Sequence, residues 1–155
     1  MQIILVKAAT DDAEEILEMQ KAAFAPLLEK YKDLRTNPAA ESLETVEDRL
    51  KSADTDTYFI VLGRTKIGVV RVKVQNDICN LKQILILPEY QGKGYAREAI
   101  SLAEEKYPQA KQWELDTILQ EERLCRLYTN AGYIPTGKIE KINEKMSLIY
   151  FSKKQ

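Results

Sequence analysis

The sequence predicts a mixed α/β (α+β) fold, with six to seven mostly antiparallel strands in one sheet and helices on both faces. Three observations predict it. Apolar positions switch between helical spacing and strand alternation along the chain. Several strands follow one another with only short turns between them, which implies antiparallel pairs. One strand–helix–strand passage at 81–118 implies a single parallel crossover. The 155 residues contain no internal repeat, low-complexity tract or linker, so one domain over 1–155 is expected. That length can bury a core without disulfides or metal.

The elements follow in order. IILVKA (3–8) reads as a strand. Thr10 and Asp11 are N-cap candidates, and Glu14 is spaced to complete a capping box from Asp11. Ala13, Ile16, Leu17 and Phe24 predict an amphipathic helix over 12–25, which Pro26 ends or kinks. LLEKYKDL allows another turn or two. Pro38 is placed to open a second helix, whose inner face is Leu43, Val46 and Leu50. TYFIVLG (57–63) and IGVVRVKV (67–74) are strands joined by a tight turn. A third strand spans 78–88 and stops at Pro88. A helix marked by Ala96, Ala99, Ile100 and Ala103 runs to about 106, QWELDTI (112–118) alternates as a strand, and 121–132 is a helix closed by Gly132. YIPTGKIEKI and KMSLIYFS form a last hairpin around NE.

Composition narrows the chemistry. A formal net charge of −1 provides no global attraction for nucleic acid or an anionic membrane, so neither is an expected partner. The chain has no histidine, which excludes His-based triads, bases and metal ligands. Cys79 and Cys125 stand apart, without the paired spacing of a zinc or redox site, so no metal is expected. MQIILVKAATDD turns acidic at once and lacks the basic and long apolar regions of a secretory signal. No apolar run approaches the roughly 18 residues of a membrane span. The expected compartment is the cytoplasm.

LPEYQGKGYAREAI (87–100) carries Gly92 and Gly94 between a strand and a helix. Such glycines let the backbone approach a ligand, and the first helical turn presents free N–H groups to an anion. Lys93 adds charge. A tight turn without a ligand is the plain alternative. The Walker spacing fails because Lys93 lies between the glycines. The Rossmann spacing fails because Arg97 stands where close helix–strand packing needs a small residue.

A third pattern fits. Gln91, Gly94 and Ala96 follow Q/R-x-x-G-x-G/A, after the strand ILILPEY. Leu127, Tyr128, Gly132 and Tyr133 follow L-Y-x-x-x-G-[FY]. With these two motifs the chain resembles the GNAT N-acetyltransferase family along nearly its whole length. The resemblance implies transfer of an acetyl group from acetyl-CoA to a primary amine of a small molecule or peptide. A non-catalytic acyl-CoA-binding module of the same fold is the alternative. It implies that the amides of Gln91, Gly92, Lys93, Gly94, Tyr95 and Ala96 hold the pyrophosphate. The backbone of Ile84, Leu85 and Ile86 would pair with the pantetheine arm, and a bulge would splay that strand from the next. The Ile86 amide would serve the carbonyl oxygen, and Tyr128 would be the general acid.

Many relatives carry a Glu base on the cofactor strand, where this chain has Lys82 and Gln83. Glu114 and Asp116 share a face of the next strand and are the candidate bases. Glu121 replaces an Asn that often contacts the cofactor. The acceptor would enter from the segment 24–50 and from the last hairpin; in the first, Glu29 and Tyr31, with Asp33, Glu41 and Glu44, suit a cationic amine, and a solvated helix face is the alternative. The final strand SLIYF is apolar enough for a homodimer interface or for the core.

Overall fold

The computed structural model describes residues 2–155, and one seven-stranded sheet runs through nearly all of them. The elements are β1 (Ile3–Lys7), α1 (Ala13–Tyr31), α2 (Leu43–Lys51), β2 (Thr55–Leu62), β3 (Thr65–Gln75), β4 (Ile78–Ile86), α3 (Tyr95–Glu105), β5 (Gln112–Ile118), α4 (Glu122–Asn130), β6 (Ile134–Lys141) and β7 (Ser147–Lys154). Across the sheet the order is β1-β2-β3-β4-β5-β7-β6. Every neighbouring pair is antiparallel except β4 and β5, which are joined through α3 by the expected parallel crossover.

Both faces are covered. α1 and α2 bury Ala13, Ile16, Leu17, Met19 and Val46 against Phe59, Val69 and Leu85. On the other face Ala99, Ile100 and Ala103 of α3 and Tyr128 of α4 pack on Ile60, Val70, Val72, Ile86 and Trp113. Strands covered twice need apolar residues at successive positions, which is why TYFI and GVV run unbroken in β2 and β3. No helix among the described residues is long and apolar enough to cross a membrane.

Four local expectations change. A short 3-10 turn, Thr10–Asp12, precedes α1, and Asp12 rather than Asp11 accepts the Ala9 N–H at 2.7 Å. Pro26 does not end α1. The helix continues to Tyr31 and stops at Lys32, whose φ is +56° and whose N–H reaches the Leu28 carbonyl at 2.8 Å. Proline removes one backbone bond, but Leu27 and Tyr31 in the last turns pack on Met146 and Leu148, and such contacts override local preference. Pro38 opens only the 3-10 turn Pro38–Ala40; α2 begins five residues later, where the Ser42 hydroxyl accepts the Thr45 N–H at 3.2 Å. The strand SLIYF lies between β5 and β6 with both edges paired and with Leu148 and Phe151 buried, so it serves the core. The outer edge belongs to β6.

Candidate active site

β4 and β5 pair only from Ile78 opposite Gln112 to Asn80 opposite Glu114. Beyond that they part, leaving a gap in the middle of the sheet. A bulge stands at the parting: Val72 of β3 faces Leu81, Arg71 faces Gln83, and Lys82 between them has no partner. An extra residue in one strand bends it and steepens its twist. It also resets which side chains share a face. Cys79, Leu81, Ile84 and Ile86 pack with the α3/α4 core. Leu85 packs with the α1/α2 core, and Gln83 lines a cavity on that side.

The bulge leaves main-chain groups pointing into the gap. The Leu87 N–H bonds to Ile67 of β3 at 2.8 Å. Hydrogen bonding alternates along an antiparallel ladder, so Leu85 shares that direction while Ile84 and Ile86 turn their N–H groups away from β3. The strand end is pinned as well: Gln91 donates its side-chain amide to the Ile86 carbonyl at 2.8 Å.

The loop after β4 turns back at Gly92, φ +77°, and Gly94, φ +87°, into α3. No atom lies within 4 Å of where a Cβ would stand at either position, so the left-handed backbone, not crowding, calls for glycine. Gln91 gives its own N–H to Pro88 at 3.3 Å. The N–H groups of Gly92 through Arg97 donate to no acceptor among the described residues. The free amides therefore start one residue later than expected and end one later. Consecutive free donors at a helix start fit a pyrophosphate.

Tyr128 on α4 is 7% exposed, with its ring edge-on to Tyr133 and tilted against Phe151. Its hydroxyl bonds to no described residue. Burial, then the negative charge of Asp116, pushes its pKa well above the usual phenol value. Asp116 lies on β5 on the opposite face of the sheet, and the gap lets the two sense each other. Asp116 is open to water, yet enough protein surrounds its carboxylate to strip part of its solvation, as in a recess. That raises its pKa, with Lys82 pulling it down and Glu140 adding to the rise. Glu114 shares that face but accepts a bond from Gln112 at 2.8 Å. Of the two expected bases, Asp116 is the one without a hydrogen bond to a described side chain.

Further groups near Asp116 were not legible as a set. Tyr150, opposite Asp116 in the ladder, donates to Glu140 at 2.7 Å, and Arg35 holds the other Glu140 oxygen at 2.9 Å. An irregularity in β6 between Pro135 and Ile139 places Lys138 over the Tyr150 ring, 4.3 Å from its centre. In the acceptor segment, Tyr31 is buried and gives its hydroxyl to Glu121, which Lys30 also holds at 2.7 Å. Burial raises Glu121, but those two bonds outweigh it and its pKa falls. Glu29 is exposed and pairs with Lys32 at 3.2 Å. Asp33 is buried in a turn, accepting from Arg35 and Thr36, and Glu41 is held by Arg49 through two bonds of 2.6 Å.

The model of the acetyltransferase (GNAT) family matches residues 13–133. The chain belongs to that family. As a GNAT acetyltransferase it uses acetyl-CoA as the acetyl donor. No curated protein matches it in sequence. Solved structures share its fold at low identity. Spermidine N-acetyltransferase from Vibrio cholerae, in complex with CoA and spermine, is 21% identical with a TM-score of 0.79, over 99% of this chain and 96% of that one. The ribosomal-protein-S18-alanine N-acetyltransferase from Escherichia coli is 13% identical with a TM-score of 0.79, over 99% and 94%. The PaiA N-acetyltransferase from Thermoplasma acidophilum, in complex with coenzyme A, is 18% identical with a TM-score of 0.75, over 100% of both chains.

Proposed function

We propose that this GNAT domain acetylates a primary amine by direct transfer in the gap between β4 and β5. The observation that carries the reading is the parting of β4 from β5, with the free amides of Gly92–Arg97 after β4 and Tyr128 packed in the same core as Ile84 and Ile86. Acetyl-CoA supplies the acetyl group as an activated thioester. The loop amides hold its pyrophosphate, with Lys93 and Arg97 exposed beside them. The edge of β4 at Ile84–Ile86 receives the pantetheine arm as a neighbouring strand would, through main-chain bonds.

An alkyl ammonium with a pKa of about 10 must first lose a proton at neutral pH. Asp116, ionised and in reach of water, takes it through a water molecule. The Ile86 N–H faces the carbonyl oxygen as charge develops there. Tyr128, held protonated by burial, delivers its proton to the departing sulfur. Cys79 and Cys125 are both free thiols, which fits a reducing cytoplasm. The exposed edge of β6, with Ile134 and Ile139, is the surface on which a second copy would pair.

Thermal stabilisation by acetyl-CoA followed by thiol release with a panel of amines tests this. Absence of stabilisation at saturating acetyl-CoA would sink the reading. Stabilisation without transfer to any amine would make the chain an acyl-CoA-binding module.

A further inference from the structure

We infer that the α1/α2 side of the site binds an oxyanion carried by the acceptor, so the substrate is an amine that also bears a carboxylate or phosphate, not a polyamine. This rests on the transfer reading above.

Arg71 and Gln83 stand opposite each other on β3 and β4. Both line a cavity of about 10 Å³ beneath α1 and α2, walled also by Ile16, Gln20 and Val46. Gln83 is 6% exposed, and its side-chain nitrogen is the buried side-chain polar atom without a partner among the described residues. Buried donors are nearly always satisfied, so a missing acceptor is implied. Arg71 likewise bonds to no described residue. Burial and the neighbouring Arg49 bring its pKa down to about 10, against the pull of Glu41. Glu41 is not available to it: both its oxygens are held by Arg49 at 2.6 Å, and Gln20 bonds one of them at 3.0 Å.

The cavity meets a recess of about 440 Å³ that shares Arg49 and Arg71 and adds Lys73 and Lys82. Two acids also line it, Asp48 and Asp54. Asp54 is engaged by Ser52 at 2.7 Å, Thr55 at 2.9 Å and Lys73 at 3.9 Å. Arg49 is held by Glu41 and Lys73 by Asp54, which leaves Arg71 and Lys82 as the lining cations without a carboxylate partner among the described residues, facing Asp48. Two of the acids expected to suit a cationic amine, Asp33 and Glu41, are already engaged, by the turn at Arg35 and Thr36 and by Arg49.

A cavity this small admits one oxygen atom. One acceptor oxygen seated there meets the Gln83 amide, another meets the Arg71 guanidinium, and the remainder of the molecule lies in the recess. Lys82 lines the recess and stands on β4 where that strand leaves β5, the strand that carries Asp116. Arg71 is one strand back from the gap, and strands lie about 4.8 Å apart, so several bonds separate the amine from the anion. The alternative is a lone water bridging Gln83 and Arg71.

Thermal shifts with CoA bound separate these cases. Succinate, inorganic phosphate and spermidine are titrated against the wild type, Arg71→Met and Arg71→Lys. Succinate or phosphate raises the wild-type midpoint at millimolar concentration, and the stronger of the two identifies the anion. Arg71→Met weakens that effect at least tenfold and Arg71→Lys restores part of it, while spermidine gives no rise. No effect of either anion, an equal effect in Arg71→Met, or stabilisation by spermidine overturns the inference. In turnover, 4-aminobutyrate or phosphoethanolamine exceeds butylamine at least tenfold in kcat/KM, and Arg71→Met removes that advantage; equal values overturn it. Acetyl-CoA stabilisation, read on the same proteins without CoA, fails separately if the transfer reading is wrong.

Discussion

Burial of Tyr128 and partial desolvation of Asp116 suit these two side chains to the proton transfers proposed for them. Tyr128 is enclosed by Tyr133 and Phe151, and its raised pKa keeps it protonated throughout the neutral range. Tyr128→Phe removes the hydroxyl and keeps the ring. Turnover falls by about 10²-fold or more, the scale of general acid catalysis, while acetyl-CoA affinity measured by calorimetry stays near wild type. Unchanged turnover would take the acid role from Tyr128. Asp116 is raised by burial, so its carboxylate ionises above the usual aspartate value. In the proposed transfer the ionised form is the base, so kcat/KM is expected to be full above that raised value and to fall as pH drops through it. Lys82→Met removes the cation that holds Asp116 down, and the acidic limb then moves to higher pH. Asp116→Asn abolishes the limb together with most activity. A limb that ignores Lys82 would place the base elsewhere.

At the scale of elements, β4 decides the site, and two glycines hold its neighbourhood. A Cβ at Gly68 of β3 would come within 2.2 Å of the Leu85 carbonyl, a main-chain atom that cannot swing aside. Gly68→Ala forces the two strands apart. The expected loss is about 1–3 kcal/mol, the scale of overpacking, read from urea denaturation, with weakened acetyl-CoA binding because β4 shifts. Wild-type stability in that variant would show that β4 is not held there. Gly94→Ala meets no atom but places an L-residue at φ +87°, costing about 1–2 kcal/mol and disturbing the amide array. The loop between β4 and α3 was legible because its glycine spacing and the free amides of a helix start lie within a few residues of one another. The reach of α1 past Pro26 was not, because contacts with Met146 and Leu148, more than a hundred residues on, support its last turns.

Over the whole molecule, binding the donor adds stability by mass action. Acetyl-CoA at 100 times its Kd raises unfolding free energy by about 2.7 kcal/mol, or roughly 5–10 °C in Tm for a chain of this size. The sheet, its single crossover and the helices on both faces were written in the alternation of apolar positions, whereas the loop and the L-Y-x-x-x-G segment were read from their resemblance to family motifs. All of these are local patterns, set by what lies within one turn of helix or a few steps of strand. Tertiary structure alone decided where β4 leaves β5, and therefore which groups meet. An unpartnered Lys82 turned Gln83 toward Arg71 and left Lys82 close enough to offset the charge of Asp116. Side chains alternate with a period of two, so one extra residue exchanges the faces of everything beyond it. Apolar spacing does not show which strand slips. The same limit hid the fate of the acidic segment: Tyr31, Asp33 and Glu41 read as exposed ligands for a cation, yet each is tied to a partner that folding brings to it.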